Sequence, residues 1–262
     1  MADLKNRVAL VTGGNSGIGL AVAERLARDG ARLAMVGIVP DAEGAAVAAD
    51  IARAHGVPAQ YLRADLHQPD QIEGVIRAVE QQLGALDILV NNAGMQHVSP
   101  IEDFPVTAWN DMLALNLSAS FHTIRLALPG MRQRGWGRII NMASISGLRG
   151  RAGKSAYNAT KHGLIGLTKA VALETAPTDI TCNAICPGWA LTALVQKQVD
   201  ALAERESLDN EAATRQLLGP RQPSGRFVPP QQIAALASFL CSDDAQEVRG
   251  AAWTMDGATT AA

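Results

Sequence analysis

The chain has 262 residues, of which 18% are charged, and its 23 Lys and Arg against 25 Asp and Glu give a formal net charge of −2. This near balance excludes a nucleic-acid binder of the ordinary electrostatic kind, and no apolar run approaches the ~20 residues needed to cross a bilayer. Because the N-terminal segment carries charge where a signal peptide is apolar, we expect a cytoplasmic protein. A chain of this length can bury a single core, so we expect one domain over 1–262.

Short apolar, β-branched runs alternate with stretches of helical periodicity along the chain. The predicted strands are 7–11, 32–36, 58–63, 86–91, 138–143, 180–185 and 251–255. The predicted helices are 17–29, 41–55, 69–83, 106–134, 153–176 and 229–240. This alternation is typical of an α/β fold in which helices cover both faces of a parallel sheet.

The most irregular stretch follows the sixth predicted strand, where helical patterns at 193–206 and 210–218 are mixed with turn residues. A long excursion in a compact α/β fold is more often a substrate loop or lid than a solvated insertion. We therefore expect 189–228 to be a lid, with a plain insertion as the alternative.

The first predicted strand runs directly into a glycine-rich turn and then a helix. The turn reads Thr12-Gly13-Gly14-Asn15-Ser16-Gly17-Ile18-Gly19. Glycines let the backbone approach a pyrophosphate, and the N-terminus of the helix offers free N–H groups to its charge. The pattern predicts a dinucleotide site, although a glycine-rich turn can also be purely structural.

The end of the second predicted strand bears on which dinucleotide binds. A carboxylate there normally bonds the ribose of NAD, whereas an arginine accommodates the extra phosphate of NADP. The strand ends Val36-Gly37-Ile38 and offers neither group. Because no basic residue occurs at Asn15, Ser16 or 37–40, the sequence favours NAD and leaves NADP open.

Tyr157 and Lys161 lie four residues apart on a predicted helix, and therefore on one face of it. A neighbouring cation favours the phenolate and brings tyrosine toward useful acid–base range. Such a pair alone is more often an ordinary surface contact. Ser144, at the carboxyl end of the preceding strand, changes the balance because ligands bind at this edge of open α/β sheets.

Together these residues resemble the short-chain dehydrogenase/reductase family. The resembling motifs are the glycine turn at 12–19, Asn91-Asn92-Ala93-Gly94, Asn116, Ser144, Tyr157-x3-Lys161 and Pro187-Gly188. The resemblance implies a Rossmann-type, doubly wound sheet of seven parallel strands, a nicotinamide cofactor and a homotetramer. It also implies that Asn116, Ser144, Tyr157 and Lys161 are catalytic, with Asn116 acting through a helix irregularity and water. The cofactor contacts that it implies are Gly13, Asn15, Ser16, Gly17, Ile18, Gly19, Ile38, Asp65, Leu66, Asn92, Ala93, Gly94, Tyr157, Lys161, Pro187, Gly188 and Thr192.

A narrower similarity rests on the stretches 92–97, 101–105, 113–119, 183–189 and 194–198. On these stretches the chain most resembles, within the family, the D-3-hydroxybutyrate dehydrogenase group. That similarity implies a small 3-hydroxy acid as substrate, bound by Gln96, Ser144, Ser146, Lys154, Tyr157, Trp189 and Gln198. Two departures bear on the pocket: Ser146 replaces a histidine of that group, and Thr259 replaces a tryptophan. Losing an aromatic wall enlarges a pocket, so longer or bulkier acids and esters are expected to be favoured.

The sequence also allows two other functions. One is an NADP(H)-dependent reductase of bulkier ketones or 3-oxo esters, and another is a non-catalytic dinucleotide-binding protein on the same fold. Cys182 and Cys186 lie too far apart along one strand to share a zinc ion, so no metal site is predicted. Arg149 and Arg151 are read as a solvated loop, with attraction of an anionic substrate as the lesser alternative.

Overall fold

The computed structural model describes residues 2–261, apart from the side chains of 193, 194 and 220. Seven parallel strands form a sheet in the order β3-β2-β1-β4-β5-β6-β7. The strands are β1 Val8–Thr12, β2 Arg32–Gly37, β3 Ala59–Arg63, β4 Ile88–Asn91, β5 Trp136–Met142, β6 Asp179–Pro187 and β7 Ala252–Met255. The helices are α1 Gly17–Arg28, α2 Asp41–His55, α3 Pro69–Gln82, α4 Val106–Leu113, α5 Ala119–Arg134, α6 Ser155–Thr175, α7 Ala193–Glu206, α8 Asn210–Leu218 and α9 Pro230–Cys241.

Helices cover both faces of the sheet, as its apolar strands require. Ala9 and Val11 of β1 belong to a core that includes buried residues of α1, α2 and α9. Val8 and Leu10 point the other way, into a core shared with α3, α5 and α6. Because alternate residues of a strand face opposite sides, β1 is apolar from Val8 to Val11 and buried on both faces. This arrangement confirms the predicted doubly wound α/β fold.

The predicted helix 106–134 differs from the observed one. A π-helical segment, Ala114–Ser118, separates α4 from α5. Asn116 lies within it and is buried, and its amide bonds both main-chain groups of Met95: Oδ1 accepts from Met95 N at 2.8 Å and Nδ2 donates to Met95 O at 2.9 Å. A widened turn often occurs where a functional side chain must be presented.

The strand order places the site of the fold. The chain moves outward from β1 to β2 and β3, then returns to β4 on the other side of β1. Ligands of open α/β sheets bind at the carboxyl ends of the strands, at such a reversal. The glycine turn after β1 and the Asn92-Ala93-Gly94 segment after β4 both lie there. Among the described helices, none is long and apolar enough to cross a membrane.

Candidate active site

The turn between β1 and α1 can be built only with glycine at its key positions. Gly13 and Gly17 have positive φ values of +61° and +55°, a region that side chains disfavour. A Cβ atom on Gly19 would lie 2.1 Å from the carbonyl oxygen of Gly13 and 2.5 Å from Nδ2 of Asn92. The backbone is therefore folded closely on itself beside the N-terminus of α1.

That helix N-terminus has free donors. The N-cap residue, Ser16, makes no side-chain hydrogen bond to the first turn, and the first turn contains no acidic residue. The first N–H groups of α1 therefore remain available to an external acceptor. The donors and the glycine cradle fit the pyrophosphate of a dinucleotide.

Thr12 and Asn92 hold the glycine turn against β4. Thr12 Oγ1 accepts from the backbone N atoms of Asn92 and Ala93, at 2.8 and 2.9 Å. Asn92 Nδ2 donates to the carbonyl oxygens of Thr12, at 2.9 Å, and Gly13, at 3.2 Å. Asn92 therefore has a structural task in addition to the cofactor contact predicted for it.

The predicted adenosine side of the site lies at the ends of β2 and β3. Ile38 is 71% exposed there, as a residue that covers a bound ring would be. Asp65 follows β3, and its carboxylate accepts from the backbone N and from ring Nδ1 of His67, at 3.0 and 2.7 Å. These bonds lower the pKa of Asp65. Leu66 beside it is buried.

The predicted nicotinamide side lies at the ends of β4 and β6. A Cβ on Gly188 would lie 2.8 Å from Gln222 Oε1 and 2.9 Å from Asp256 Cα, so only glycine fits after Pro187. Thr192 caps α7 by accepting from the backbone N of Val195 at 3.4 Å. Its methyl carbon lies 3.4 Å from a Cβ built on Gly17, which places the start of α7 over the glycine turn.

The four predicted catalytic residues converge beside this turn. Lys161 Nζ donates to Met142 O at 2.7 Å and lies 5.6 Å from the ring centroid of Tyr157. Ser144 follows β5, hydrogen-bonds Tyr157 and accepts from the backbone N of Ser146 at 3.1 Å. A Cβ on Gly94 would lie 3.1 Å from Asn116 Oδ1 and 3.8 Å from Lys161 Nζ.

The charge states differ from the expectation that Lys161 depresses the pKa of Tyr157. Burial raises the pKa of Tyr157 and outweighs the lowering effect of its hydrogen bond with Ser144. Burial also lowers the pKa of Lys161 to about 8. Lys161 Nζ donates to the Met142 carbonyl, and burial shifts the pKa of each group toward its neutral form.

A cavity of about 440 Å³ opens in front of Ser144 and Tyr157. All seven predicted substrate residues line it: Gln96, Ser144, Ser146, Lys154, Tyr157, Trp189 and Gln198. Lys154 Nζ donates to Gln96 Oε1 at 2.8 Å, which joins two of the predicted carboxylate ligands. Burial, and the charges of Arg151 and Arg221, lower the pKa of Lys154 to about 8.

The structure places Thr259 outside the cavity wall. Thr259 is buried and is not among the residues that line the cavity. Its hydroxyl donates to the carbonyl oxygens of Arg221 and Asp256, and its own carbonyl accepts from Arg149 Nη1 at 2.7 Å. Thr259 therefore does not form part of the cavity wall, and Arg149, which does line the cavity, is held by the Thr259 carbonyl.

Three arginines of the cavity wall were not predicted as substrate ligands. Arg149 and Arg151 come from the loop before α6, and Arg221 comes from the stretch between α8 and α9. One feature of the sequence could have indicated them: no Asp or Glu occurs between Asp111 and Glu174. Since the whole chain has a net charge of −2, this stretch is a local concentration of positive charge.

Cys182 and Cys241 lie in the apolar cores, whereas Cys186 lies beside the catalytic cluster, close enough to Lys161 and the backbone of Ser144 for both to affect the pKa of its thiol. Cys182, Cys186 and Cys241 are buried and unpaired by disulfides, and burial raises the pKa of Cys186 to about 11 and of Cys241 to about 12. Over residues 2–261 no three His, Cys, Asp or Glu side chains come together in a way that could hold a metal ion.

Comparisons with known proteins agree with this geometry. A family model described as short chain dehydrogenase matches residues 7–203. The D-beta-hydroxybutyrate dehydrogenase of Cupriavidus necator is 53% identical over 255 residues, which cover 97% of this chain and 98% of the relative. The D-beta-hydroxybutyrate dehydrogenase of Rhizobium meliloti is 44% identical over 255 residues, with 97% and 99% covered.

A solved structure shows the same fold. The L-sorbose reductase of Gluconobacter frateurii, complexed with NADPH and L-sorbose, aligns with a TM-score of 0.92 at 32% identity over 97% of each chain. The glycine turn, the Ser144, Tyr157 and Lys161 cluster and the full-length relatives lead to one conclusion. The chain is an oxidoreductase that belongs to the short-chain dehydrogenase/reductase family.

Proposed function

We propose that the protein interconverts a small 3-hydroxy acid and its 3-oxo acid with NAD. The observation that carries the proposal is that one cavity presents acid–base groups, Ser144 and Tyr157, together with a cation held among amides, Lys154 with Gln96 and Gln198. A short hydroxy acid needs acid–base groups at its hydroxyl and a cation with hydrogen-bond donors at its carboxylate, since a buried carboxylate requires compensating charge and donors. Two relatives that cover nearly the whole chain carry the same activity in their names.

Tyr157 is the proton carrier in this proposal. During reduction its hydroxyl donates a proton to the 3-oxo oxygen, and during oxidation its phenolate accepts the proton of the 3-hydroxyl. Ser144 Oγ accepts from Ser146 N, which leaves its own hydrogen free to be donated, and we assign that hydrogen to the same substrate oxygen. Bound NAD supplies the hydride acceptor.

Lys161 and Asn116 support that proton transfer. Lys161 donates to Met142 O in a buried position next to Tyr157, and we assign it to hold the ribose of the cofactor and to favour the phenolate during oxidation. Asn116 fixes the Met95 main chain beside Gly94, and Nδ2 also donates to Thr160 Oγ1 at 3.3 Å. Its bonds keep the segment after β4 in position for the nicotinamide side.

The choice of NAD over NADP rests on the end of β2. No arginine or lysine occurs at 37–40 to meet an additional phosphate, and Ile38 is largely exposed. The nearest cation on the neighbouring strand is the exposed Arg63, which pairs in register with Gly37. A Cβ on Gly37 would lie 2.7 Å from Asn15 Oδ1, so Asn15 occupies the space beside the strand end. An NADP(H)-dependent reductase of bulkier ketones is the competing function, and its cofactor preference is the opposite.

One experiment separates these functions. Rates of NADH formation are compared for 3-hydroxybutyrate and butan-2-ol, which share the secondary alcohol but differ in the carboxylate, and each is repeated with NADP. We expect 3-hydroxybutyrate to be oxidised with a kcat/KM at least about 10³-fold higher, because butan-2-ol leaves Lys154 and its amides without a partner. Similar values for the two alcohols, or a preference for NADP, contradict the proposal.

Lys154 makes a pH-dependent contribution to substrate affinity. Since its pKa is lowered to about 8, the free enzyme loses the positive charge as pH rises through 8. The kcat/KM for 3-hydroxybutyrate should therefore fall on the alkaline side of that pH. Lys161 has a similar pKa, so the variant Lys154→Arg separates the two: the alkaline limb moves upward if Lys154 causes it and stays if Lys161 does.

Removal of the Lys154 charge gives the matching affinity measurement. Lys154→Met should raise KM by about tenfold or more while changing kcat less, because the acid–base residues remain. Lys169→Met, at an exposed position on the same helix, serves as the control and should leave KM unchanged. A larger loss in kcat than in KM contradicts a role limited to binding.

We also propose how the chain is organised into domains and where in the cell the protein lies. We treat 1–262 as a single catalytic domain, since residues from both ends of the chain build one sheet, and 189–228 as a lid, since α7 and α8 lie in it and Trp189 and Gln198 line the cavity. We place the protein in the cytoplasm.

The edge strand β7 presents Trp253 beside Phe239 of α9, with ring centroids 5.9 Å apart and 37% of each residue exposed. We propose that this exposed aromatic pair belongs to a subunit contact, since apolar surface favours association. We therefore expect a homotetramer by light scattering, and Trp253→Lys should produce smaller species by placing a charge in the contact. Arg249→Lys keeps the charge of the same region and should leave the tetramer intact. A monomeric wild-type protein contradicts the assignment.

A further inference from the structure

The cavity carries more positive charge than a monocarboxylate requires. Arg149, Arg151, Lys154 and Arg221 all line it. Its described lining residues include no Asp or Glu, and none of the four cations forms an ion pair with another residue in 2–261. Asp256, the carboxylate beneath Gly188, is bonded to the backbone N and the hydroxyl of Thr260.

These cations act on one another. The pKa of Arg151 is lowered by burial and by the charges of Arg221 and Arg149, and that of Lys154 by burial, Arg151 and Arg221. Groups that repel one another in a partly buried site gain from an anion that binds between them. One carboxylate on Lys154 leaves the arginines uncompensated.

Two of the arginines lie around Trp189, whereas Lys154 is bonded to Gln96. The guanidinium carbon of Arg151 lies 5.5 Å from the Trp189 ring centroid and that of Arg221 lies 5.9 Å from it. Arg149 is held nearby by its bond to Thr259 O. Because a guanidinium binds carboxylates with paired donors, this group is suited to an anion that Lys154 does not hold.

The position of the group excludes the extra phosphate of NADP as its partner. Arg149 and Arg151 follow β5, and Arg221 belongs to the segment after β6. The ends of β2 and β3, where the adenosine is proposed to lie, are on the opposite side of β1 in the sheet. The arginines therefore face the substrate end of the site.

From this geometry we infer that the substrate is dianionic: a 3-hydroxy dicarboxylate whose C1 carboxylate binds Lys154 and whose distal carboxylate binds the arginine group. The inference rests on the proposed function and specifies its substrate class. The reaction is unchanged, since the C3–H bond breaks with hydride transfer to NAD and the hydroxyl proton passes to Tyr157. The cavity of about 440 Å³ accommodates a chain of about six carbons.

The test uses two acids of equal length. 3-Hydroxyadipate and 3-hydroxyhexanoate differ in the terminal carboxylate, so a cavity that is merely spacious treats them alike or favours the apolar acid. We expect kcat/KM for 3-hydroxyadipate to be at least about tenfold higher at low salt. The ratio should decrease when ionic strength is raised from about 50 to about 500 mM, because salt screens these partly exposed charges.

Variants assign the effect to the arginines. Arg151→Gln and Arg221→Gln should each lower the ratio of the two kcat/KM values by about threefold to tenfold. Arg226→Gln is the control, since this exposed arginine lies on the same segment outside the cavity wall, and the ratio should stay as in the wild type. The dissociation constant of NADH is measured in parallel for each protein.

The outcomes are distinguishable. A preference for 3-hydroxyhexanoate, or a ratio unchanged in both arginine variants, overturns the dianion inference while leaving a 3-hydroxy acid dehydrogenase in place. Weaker NADH binding in Arg151→Gln and Arg221→Gln with no change in the ratio assigns the arginines to the cofactor and also overturns it. If neither acid nor 3-hydroxybutyrate is oxidised, the proposed function itself fails.

Discussion

Replacing Tyr157 with phenylalanine should lower kcat for 3-hydroxybutyrate oxidation by about 10³-fold, because it removes the one atom that accepts the substrate proton. The ring remains, so its contact with Lys161 changes little. The glycine turn is also intact, and the Kd for NADH, measured by fluorescence titration, should change by less than about tenfold. The variant would then bind cofactor without turning over.

Tyr61 provides a matched control, since it is the other of the two tyrosines in the chain. Its hydroxyl donates to Val39 O at 3.1 Å, on the far side of the sheet from Ser144. Tyr61→Phe should cost about 1 kcal/mol of unfolding free energy and leave kcat unchanged. Turnover by Tyr157→Phe at the wild-type rate would remove Tyr157 from the mechanism and favour a solvent-derived proton.

The second large effect is expected at Gly19. In Gly19→Ala the new methyl group would lie 2.1 Å from Gly13 O, a backbone atom that cannot move without opening the turn. We expect a loss of about 3 kcal/mol in unfolding free energy and a Kd for NADH raised by about 100-fold, because the displaced loop no longer presents its N–H groups. Chemical denaturation and fluorescence titration measure the two quantities.

Gly74→Ala serves as the control for Gly19→Ala. Gly74 lies in α3, and a Cβ there meets no atom within 4 Å. This substitution should stabilise the protein by about 0.5–1 kcal/mol and leave the Kd for NADH unchanged. Gly17→Ala, where the cost is a positive φ rather than a collision, supplies a milder case that should still fold. Wild-type NADH affinity in both turn variants contradicts the assignment of the cofactor site.

Much of the fold could be predicted because local patterns and the sheet agree. The predicted helix 41–55 coincides with α2, and 193–206 and 210–218 coincide with α7 and α8. Strand ends were less exact: β6 runs to Pro187, beyond the predicted 185, because it continues pairing with β7 as far as Met255. Pairing partners come from distant parts of the chain, and a local pattern does not contain them.

The π-helical segment shows a different kind of omission. Periodicity predicts one helix over 106–134, and nothing in that pattern marks a widened turn. The turn exists because Asn116 bonds the main chain of Met95, a residue that precedes α4 on another part of the chain. The similarity to a family implied an irregularity there, but the bonds that stabilise it are tertiary.

The residues of the candidate site were likewise predicted only in part. Residues that belong to contiguous motifs, such as Tyr157 and Lys161, were predicted, and the structure brings them together with Ser144. Arg221 was missed because its relation to Arg151 depends on how the lid segment folds back over Trp189. The charge states also depend on burial, which reverses the direction expected for the pKa of Tyr157.

The proposed function requires that one substrate spans from Tyr157 to Lys154. The most direct measurement is a crystal structure with NAD and acetoacetate, a pair that cannot transfer hydride because both are already oxidised. We predict the 3-oxo oxygen within hydrogen-bonding distance of the Tyr157 and Ser144 hydroxyls, and the carboxylate on Lys154 Nζ with Gln96 and Gln198. A carboxylate bound elsewhere, with Lys154 still bonded only to Gln96, would contradict the claim.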